Sequence, residues 1–338
     1  MAKPPYRRSW RSFYDRLLKD EKYGTTFDTK RYGPYHTYRE IFIQIDRLLK
    51  RYPRHIFPVQ IGTSVGGEPI WLFQAVNVSE TSAEPVRFLV TSLIHSIEFI
   101  GAETNIHLLD RFTANMKQNP LLHEREVHFV PVLNPDGYLE VERDLARGRP
   151  RLRRRNGRGV DLNRNFSAFF SRRYFWHRAL RRFYYPGHRP FSEPETAALR
   201  SHLQENRFDY ALSLHSFGGR FLFPYGGTRR RSRHDEWYRN LGQTLIDHQP
   251  AYGYRAKQMG RQAPFFLTRG TESDYLHETY GTRAITVEIL RAGPRLVNPR
   301  HLVDPFHLFN PKEPEKEIGN LTEPLLCFLS LNREGIFV

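Results

Sequence analysis

The chain has 338 residues, of which 39% are hydrophobic and 26% charged, and its formal net charge is +16. This composition excludes a disordered or fibrous chain and fits a soluble protein with a sizeable core. The positive charge indicates attraction to polyanions without choosing among them. The single cysteine, Cys327, excludes an internal disulfide and a thiolate metal cluster.

Residues 1–33 are predicted to form a basic N-terminal extension that begins with a solvated, weakly amphipathic helix. They contain no apolar run of signal-peptide length. No stretch of about 18 apolar residues occurs in the chain, so we expect no transmembrane helix. A cytoplasmic protein fits best, although the low cysteine content also fits a cysteine-poor secreted protein. Residues 34–338 are predicted to be one domain.

Beyond the extension, strands and helices alternate. Apolar residues at helical spacing predict a helix that Pro53 ends, and Ser192 with Glu195 has the spacing of a capping box at a later helix start. In chain order the predicted elements are a helix (38–53), a hairpin (58–76), a strand (85–94), a helix (101–116), a strand that ends at a turn (125–138), a basic loop (147–166), a helix (191–206), two strands (208–219 and 283–290) and a final helix (321–335).

This alternation predicts the α/β class, as an α/β/α sandwich around a mixed twisted sheet. In such sheets ligands collect at the carboxyl ends of strands. His95, Asn134 and His215 all lie where an apolar run stops, whereas Glu288 lies within its run. The first three positions are therefore expected at one edge of the sheet.

His95 and Glu98 form an H-x-x-E pair directly after a predicted buried strand. Catalytic zinc usually takes three protein ligands and leaves a fourth position open, and His215 completes such a set of two imidazoles and one carboxylate. The alternative is structural: His95 caps a strand and Glu98 favours a helix N-terminus. The pair alone does not decide between the two.

Two further segments carry polar groups that such chemistry needs. Glu288 is a carboxylate in an otherwise apolar strand, which fits either a general base or a buried ion pair with an arginine. Asn163 and Arg164 are adjacent, and an amide with a guanidinium can bind a carboxylate. Seven of the residues in 147–158 are arginine, so the loop can supply a cation for an oxyanion, but composition does not choose which one.

Taken together, "HSIE", "NPDGY", "GVDLNRNF", "PFSEPET", "LSLHSFGG" and "ITVEI" resemble, in order and spacing, the zinc carboxypeptidases of the pancreatic A/B superfamily. The resemblance covers about residues 34–335 and implies a carboxypeptidase-like fold. It implies one zinc ion per chain, bound by His95, Glu98 and His215. It also implies that Glu288 is the general base that activates water and later protonates the leaving amine.

The same resemblance assigns the polar residues of the basic loop. It implies that Asn163 and Arg164 bind the terminal carboxylate of the substrate and that Asp161 orients the first zinc histidine. "RLRRRN" resembles the family's R-x-W-R-K-N segment, which implies that Arg154 stabilises the oxyanion and Arg151 lies at a subsidiary subsite.

This sequence departs from the family at several of these positions. Arg153 stands where tryptophan is frequent, so the register of the arginines could shift by one. Ile97 replaces a subsite arginine, and Phe99 replaces a tryptophan. Phe266 stands at the position of the mobile substrate-capping tyrosine, and Ser273 falls at the floor of the specificity pocket. Serine there indicates neither a basic nor an apolar leaving residue.

Several functions remain open at this point. The first is removal of a C-terminal residue from a peptide or protein. Arg261 or Arg269 would favour an acidic side chain if either lined the pocket, but a surface position fits both better because arginines are so frequent in this chain. The second is a murein peptide amidase that cleaves the γ-D-glutamyl-diamino acid bond of cell-wall stem peptides. The others are an N-acyl amino acid deacylase of the aspartoacylase type and an inactive scaffold that binds polyanions through its basic surface, including the arginine-rich segments 147–158 and 228–233.

Overall fold

The computed structural model describes residues 5–77, 84–263, 265–291 and 304–337. Within these ranges, eight strands form one mixed sheet in the order β1-β2-β4-β3-β5-β8-β6-β7. The strands are β1 (Ile56–Thr63), β2 (Pro69–Val76), β3 (Val86–Ser92), β4 (Arg125–Val130), β5 (Tyr210–Gly218), β6 (Arg220–Phe223), β7 (Arg255–Gln258) and β8 (Arg283–Arg291).

Helices of very different length connect the strands. None of those within the described ranges is long and apolar enough to cross a membrane. They are α1 (Pro5–Lys19), α2 (Thr29–Tyr32), α3 (Tyr38–Arg51), α4 (Phe99–Gln118), α5 (Pro135–Ala146), α6 (Phe175–Ala179), α7 (Arg181–Tyr184), α8 (Pro194–Glu205), α9 (Asp235–Asp247), α10 (Glu272–Tyr275), α11 (Phe306–Phe309) and α12 (Pro314–Leu329), together with 3₁₀ turns at Glu21–Tyr23, Pro120–Leu122, Leu162–Arg164 and Met259–Arg261 and a π turn at Leu276–Tyr280.

The centre of the sheet is parallel and its flanks are partly antiparallel. Strand β3 runs parallel to β4 and β5, and β5 runs parallel to β8. Strand β2 is antiparallel to β1 and β4, and β6 is antiparallel to β8. The carboxyl ends of β3, β5 and β8 therefore lie at one edge of the sheet, where a ligand site is expected.

Hydrophobic cores lie on both faces of the sheet. On β3, Phe88 and Val90 belong to the larger core, which α4, α9 and α12 cover, whereas Leu89 belongs to the smaller core under α8. This alternation is what a strand buried on both faces requires. The predicted α/β/α sandwich around a mixed sheet is confirmed.

Helix α1 packs against the body instead of standing in solvent. Trp10, Phe13 and Leu17 are buried on its inner side. The ring centroid of Trp10 lies 5.1 Å from that of Trp71 on β2, edge to face, and its Nε1 donates a hydrogen bond to Asp46. The expectation of a solvated helix is therefore wrong, because its apolar residues share one face. The division into residues 1–33 and 34–338 stays a prediction, and residues 1–4 lie outside the described residues.

Two predicted helix starts are also wrong. Helix α8 begins at Pro194, and the Ser192 hydroxyl donates to the Glu193 carboxylate instead of capping the helix. A proline with its fixed φ is suited to the first helical position, and it sets the start here. The last helix, α12, begins at Pro314 rather than at Leu321, again with proline in its first turn.

Candidate active site

The chain leaves β3 through a tight turn that carries the first site residues. Leu93 has a positive φ of 52°, which turns the chain towards His95, and Glu98 directly precedes α4. A Cβ on Gly101 would lie 3.0 Å from the backbone oxygen of Leu214 on β5. The absence of a side chain there lets the start of α4 approach β5 closely. Glu98 is thereby placed beside the end of β5.

His95, Glu98 and His215 converge in the interior. Their exposed fractions are only 2%, 1% and 2%, and one ligand atom of each lies within 4.8 Å of the others. His95 Nδ1 is 2.9 Å from Glu98 Oε1, and His215 Nδ1 is 3.0 Å from Glu98 Oε2. The two Nδ1 atoms are 3.1 Å apart. This close arrangement of two imidazoles and a carboxylate fits the ligand set of a catalytic zinc ion.

The charges of this cluster favour an ionised carboxylate. Burial alone would raise the pKa of Glu98, but the two histidines outweigh it and hold the pKa below its usual range. The backbone N–H of Ser216 also donates to Glu98 Oε2, at 3.2 Å. Glu98 is therefore available as an anionic ligand.

The second nitrogen of His95 faces a carboxylate. His95 Nε2 lies 3.2 Å from Asp161 Oδ1, and Arg154 Nε donates to Asp161 Oδ2 at 3.0 Å. Burial would raise the pKa of Asp161, but the charges of Arg154 and Arg164 outweigh it and hold the pKa well below its usual range. Asp161 is thus an ionised acceptor that fixes the His95 ring, as predicted for a residue behind a metal ligand.

The second nitrogen of His215 faces a different environment. Its Nε2 is 3.2 Å from Ser213 Oγ and 3.4 Å from Asn163 Nδ2. The Ser213 hydroxyl in turn donates to Glu272 Oε2 at 2.8 Å. Sequence reasoning missed both Ser213 and Glu272. The alternation of side chains along β5 could have found Ser213, because residues two apart share a face, but nothing in the sequence marked Glu272.

Glu288 lies on the strand next to His215. In the register of β5 and β8 the two residues are directly paired, and Arg220 on β6 pairs with Glu288 from the other side. Burial, and next the charge of Glu98, raise the pKa of Glu288. Within the described ranges Glu288 makes no ion pair, so the alternative of a buried salt bridge finds no partner there. Its surroundings suit a group that accepts and returns a proton.

Arg154 and Arg164 share one aromatic neighbour that the sequence did not indicate. Their guanidinium carbons lie 5.6 and 5.2 Å from the ring centroid of Tyr184, on α7. Arg154 also lies 3.6 Å from Glu98, one of the three converging residues, whereas Arg153 pairs with Asp144. The geometry thus places Arg154 at the site. No sequence pattern singles out one tyrosine in a chain with 18 of them.

Arg164 has unused hydrogen-bonding capacity. Its Nη1 donates to the backbone oxygen of Asn163 at 2.6 Å, but its buried Nε has no partner among the described residues. Burial lowers the pKa of Arg164. A buried guanidinium with a free donor is costly unless an anion completes it. Asn163 lies beside it, as the sequence predicted.

The remaining predicted site residues lie around this centre. Phe266 packs its ring 5.4 Å from that of Tyr184, and Ser273 is buried, where its Oγ accepts from Thr286. Arg151 is exposed and lines a groove of about 880 Å³ together with Arg153, Arg154 and Arg155.

The two arginines that the sequence offered for the pocket have other contacts. Arg261 is exposed and donates to the backbone oxygen of Arg229, and Arg269 stacks on Tyr174 with its guanidinium carbon 4.9 Å from the ring centroid. Ile97 is buried and presents its backbone oxygen to Asn310, and Phe99 stacks on Tyr138 with ring centroids 4.0 Å apart.

Comparison with known proteins gives one family. The zinc carboxypeptidase family model matches residues 42–316. A zinc carboxypeptidase of Simulium vittatum is 31% identical over 210 residues, which is 60% of this chain and 67% of that protein. Carboxypeptidase O of Bos taurus is 26% identical over 285 residues, 78% of this chain and 75% of that protein. Matches to the mouse carboxypeptidases A4 and A2 span only about half of those proteins, 53% and 49%.

Solved structures agree on the fold. The crystal structure of thrombin activatable fibrinolysis inhibitor superposes with a TM-score of 0.68 at 20% identity, covering 93% of this chain and 79% of that one. Carboxypeptidase A from Helicoverpa armigera gives a TM-score of 0.67 at 20% identity, covering 94% of this chain and 81% of that one.

Proposed function

Because the chain belongs to the zinc carboxypeptidase family, we propose that it removes the C-terminal residue of a peptide or protein by zinc-dependent hydrolysis. The observation that carries the proposal is the buried convergence of His95, Glu98 and His215 beside Glu288. One zinc ion per chain would bind to the two histidines and Glu98.

Zinc, when bound, supplies a Lewis acid that polarises a peptide carbonyl and acidifies a water molecule. Glu288 takes a proton from the attacking water and passes it to the nitrogen of the leaving residue. Burial raises the pKa of Glu288, which favours the return of the proton, because a group with a very low pKa would hold it too weakly. Arg154, fixed by Asp161, presents its remaining N–H groups to the negative charge that develops on the carbonyl oxygen.

Arg164 and Asn163 would restrict the reaction to chain ends. The free Nε of Arg164 is a donor for the terminal carboxylate, and a guanidinium binds a carboxylate in a forked arrangement. Asn163 Oδ1 accepts from the backbone N–H of Glu272, so Nδ2 is the atom left to donate to substrate. A peptide without a free carboxylate would leave this cation unpaired.

The surroundings suggest what else the substrate carries. We propose that Phe266 covers, and Ser273 lies at the floor of, the pocket for the leaving side chain. The groove lined by Arg151 and Arg155 opens from the same site through Arg154. It would favour acidic residues upstream of the scissile bond through Arg151 and Arg155, which have no carboxylate partner among the described residues. The other two arginines of the groove are paired, Arg153 with Asp144 and Glu140 and Arg154 with Asp161.

The test is hydrolysis of N-blocked dipeptides that end in basic, apolar or acidic residues, each beside its C-terminal amide. We expect turnover of the free acids only, abolished by a chelator, restored by zinc and lost in Glu288→Gln. Turnover limited to a γ-D-glutamyl-diamino acid stem peptide or to an N-acyl amino acid would replace the proposal with the amidase or the deacylase. Salt-sensitive polyanion binding without any hydrolysis would leave only the inactive scaffold.

A further inference from the structure

The His215 ring needs an acceptor behind it. Its Nδ1 faces Glu98 and the Nδ1 of His95, so Nδ1 is the atom that would bind the metal. A ring that binds through an unprotonated Nδ1 carries its proton on Nε2. That N–H is buried and must donate to something. Which atom accepts it decides how firmly the ring is held.

Asn163 cannot be that acceptor. The backbone N–H of Glu272 donates to Asn163 Oδ1 at 2.9 Å, which fixes the orientation of the amide. The atom that Asn163 presents to His215 is therefore its Nδ2, at 3.4 Å, and an amide nitrogen donates but does not accept. Among the described residues, this leaves Ser213 Oγ, at 3.2 Å from Nε2, as the acceptor.

Glu272 directs the Ser213 hydroxyl. Its two carboxylate oxygens accept separately, Oε1 from Thr91 and Oε2 from Ser213, each at 2.8 Å. Thr91 and Ser213 are paired across β3 and β5, so both hydroxyls lie on the same face of the sheet. With its hydrogen committed to Glu272, Ser213 Oγ offers only lone pairs to His215. The carboxylate is fully buried and has no other role in the reaction described above.

We propose that Glu272 is a positioning residue for the metal site: it orients the Ser213 hydroxyl, so that Ser213 Oγ accepts the Nε2 proton of His215 and leaves Nδ1 to the metal. The inference rests on the proposed function, because it takes His215 as a zinc ligand. In this role the buried carboxylate of Glu272 acts on the metal site indirectly, through the Ser213 hydroxyl. Partners of this kind typically change metal affinity by about 10- to 100-fold.

The test is a double-mutant cycle on zinc affinity, measured by competition with a chelator. Ser213→Ala and Glu272→Ala are each expected to weaken zinc binding about 10-fold. If Glu272 acts through Ser213, Glu272→Ala has no further effect in the Ser213→Ala background. Glu272→Gln keeps an oxygen that can accept from Ser213, so we expect it to retain most of the wild-type affinity.

A spectroscopic readout separates positioning from general damage. In the zinc-loaded wild type, ¹⁵N-histidine spectra should show a slowly exchanging Nε2–H on His215, and Ser213→Ala should lose it. Glu142→Gln is the matched control, since Glu142 is an equally buried glutamate that accepts from the backbone N–H of Tyr38, and its zinc affinity should stay unchanged.

The outcomes distinguish the two proposals. Wild-type affinity in both Ser213→Ala and Glu272→Ala, or additive losses in the double variant, would overturn the positioning role alone. If Glu272→Ala does not fold, Ser213→Ala still tests the step on which Glu272 depends, and wild-type zinc affinity in Ser213→Ala would overturn the proposal. A wild type that binds no zinc, or binds it unchanged in His215→Ala, would instead overturn the proposed function.

Discussion

The two histidines of the cluster are supported in different ways. Behind His95 stands Asp161 itself, paired with Arg154, whereas behind His215 a hydroxyl stands between the ring and Glu272. Asp161 keeps a pKa well below its usual range. Burial raises the pKa of Glu272 to about 7, since only hydroxyls among the described residues donate to its carboxylate. The difference teaches that a neighbouring cation keeps a buried carboxylate ionised, whereas a buried carboxylate that only hydroxyls contact is protonated more easily.

The largest effect is expected from replacing Asp161, which Arg154 pairs with behind His95. Asp161→Asn leaves Arg154, whose side chain is only 19% exposed, without its closest anion, so we expect the free energy of unfolding of the zinc-free protein to fall by about 3 kcal/mol. Zinc affinity should also fall, by about 10- to 100-fold. Denaturant melts and chelator competition measure the two effects. An unchanged melt would show that Arg154 finds another anion.

Glu272, which lies behind His215 and Ser213, should make the stability of the zinc-free protein depend on pH. The pKa of Glu272 is 4.5 in an unfolded chain and about 7 in the zinc-free fold. Between these two pH values the folded state keeps a proton that the unfolded state has lost. Stability from this group therefore falls as pH rises from 4.5 to 7, by up to about 3 kcal/mol. The stability that Asp161 contributes depends on pH in the opposite direction, because it is lost only as pH falls below about 3.8.

Urea melts of zinc-free wild type and Glu272→Gln at pH 5 and pH 7.5 test this sign. We expect the variant to lose less stability than the wild type over that interval, since it cannot ionise. Parallel losses in the two proteins would show that Glu272 does not titrate there. Other buried carboxyls, such as Asp274, contribute equally to both proteins and cancel in the difference.

Arg164→Lys is expected to change substrate binding without changing the partners of either His95 or His215. A lysine keeps the charge but not the forked donors, so kcat/KM for a free C-terminus should fall by about 30-fold, or about 2 kcal/mol. Zinc affinity should stay within about twofold of wild type, because Arg164 contacts neither imidazole. A large loss of zinc would mean that Arg164 supports Asp161 more than it binds substrate.

The smallest effect is expected in the exposed groove. Arg151→Ala should lower kcat/KM only for peptides with acidic residues upstream of the scissile bond, by severalfold and about 1 kcal/mol at most. The effect should shrink as salt is raised from 50 to 500 mM. Equal losses for neutral and acidic peptides would contradict a charge preference in this groove.

Local patterns predicted the alternation of strands and helices and the strands that lead to His95 and His215, but not the helices α5 and α9. His95 and Glu98 lie beside an apolar run, and each strand end in an α/β sheet is a candidate position. The pair alone left a structural role open, and only its resemblance to a known family, together with the other segments, predicted a zinc site. Tyr184 and Glu272 reach the site only through tertiary packing, from α7 and α10, and their local sequence carries no periodic or chemical signal. The N-terminal helix was expected in solvent because the residue that covers Trp10, Trp71, is distant in the chain.

The central claim is that His95, Glu98 and His215 hold zinc beside Glu288. Anomalous diffraction at the zinc absorption edge, from crystals of the zinc-loaded protein, tests it most directly. We predict one strong peak about 2.0–2.2 Å from Nδ1 of both histidines and from a Glu98 oxygen. A peak at another cluster, or a fully loaded protein in which His215 binds through Nε2, would contradict the account.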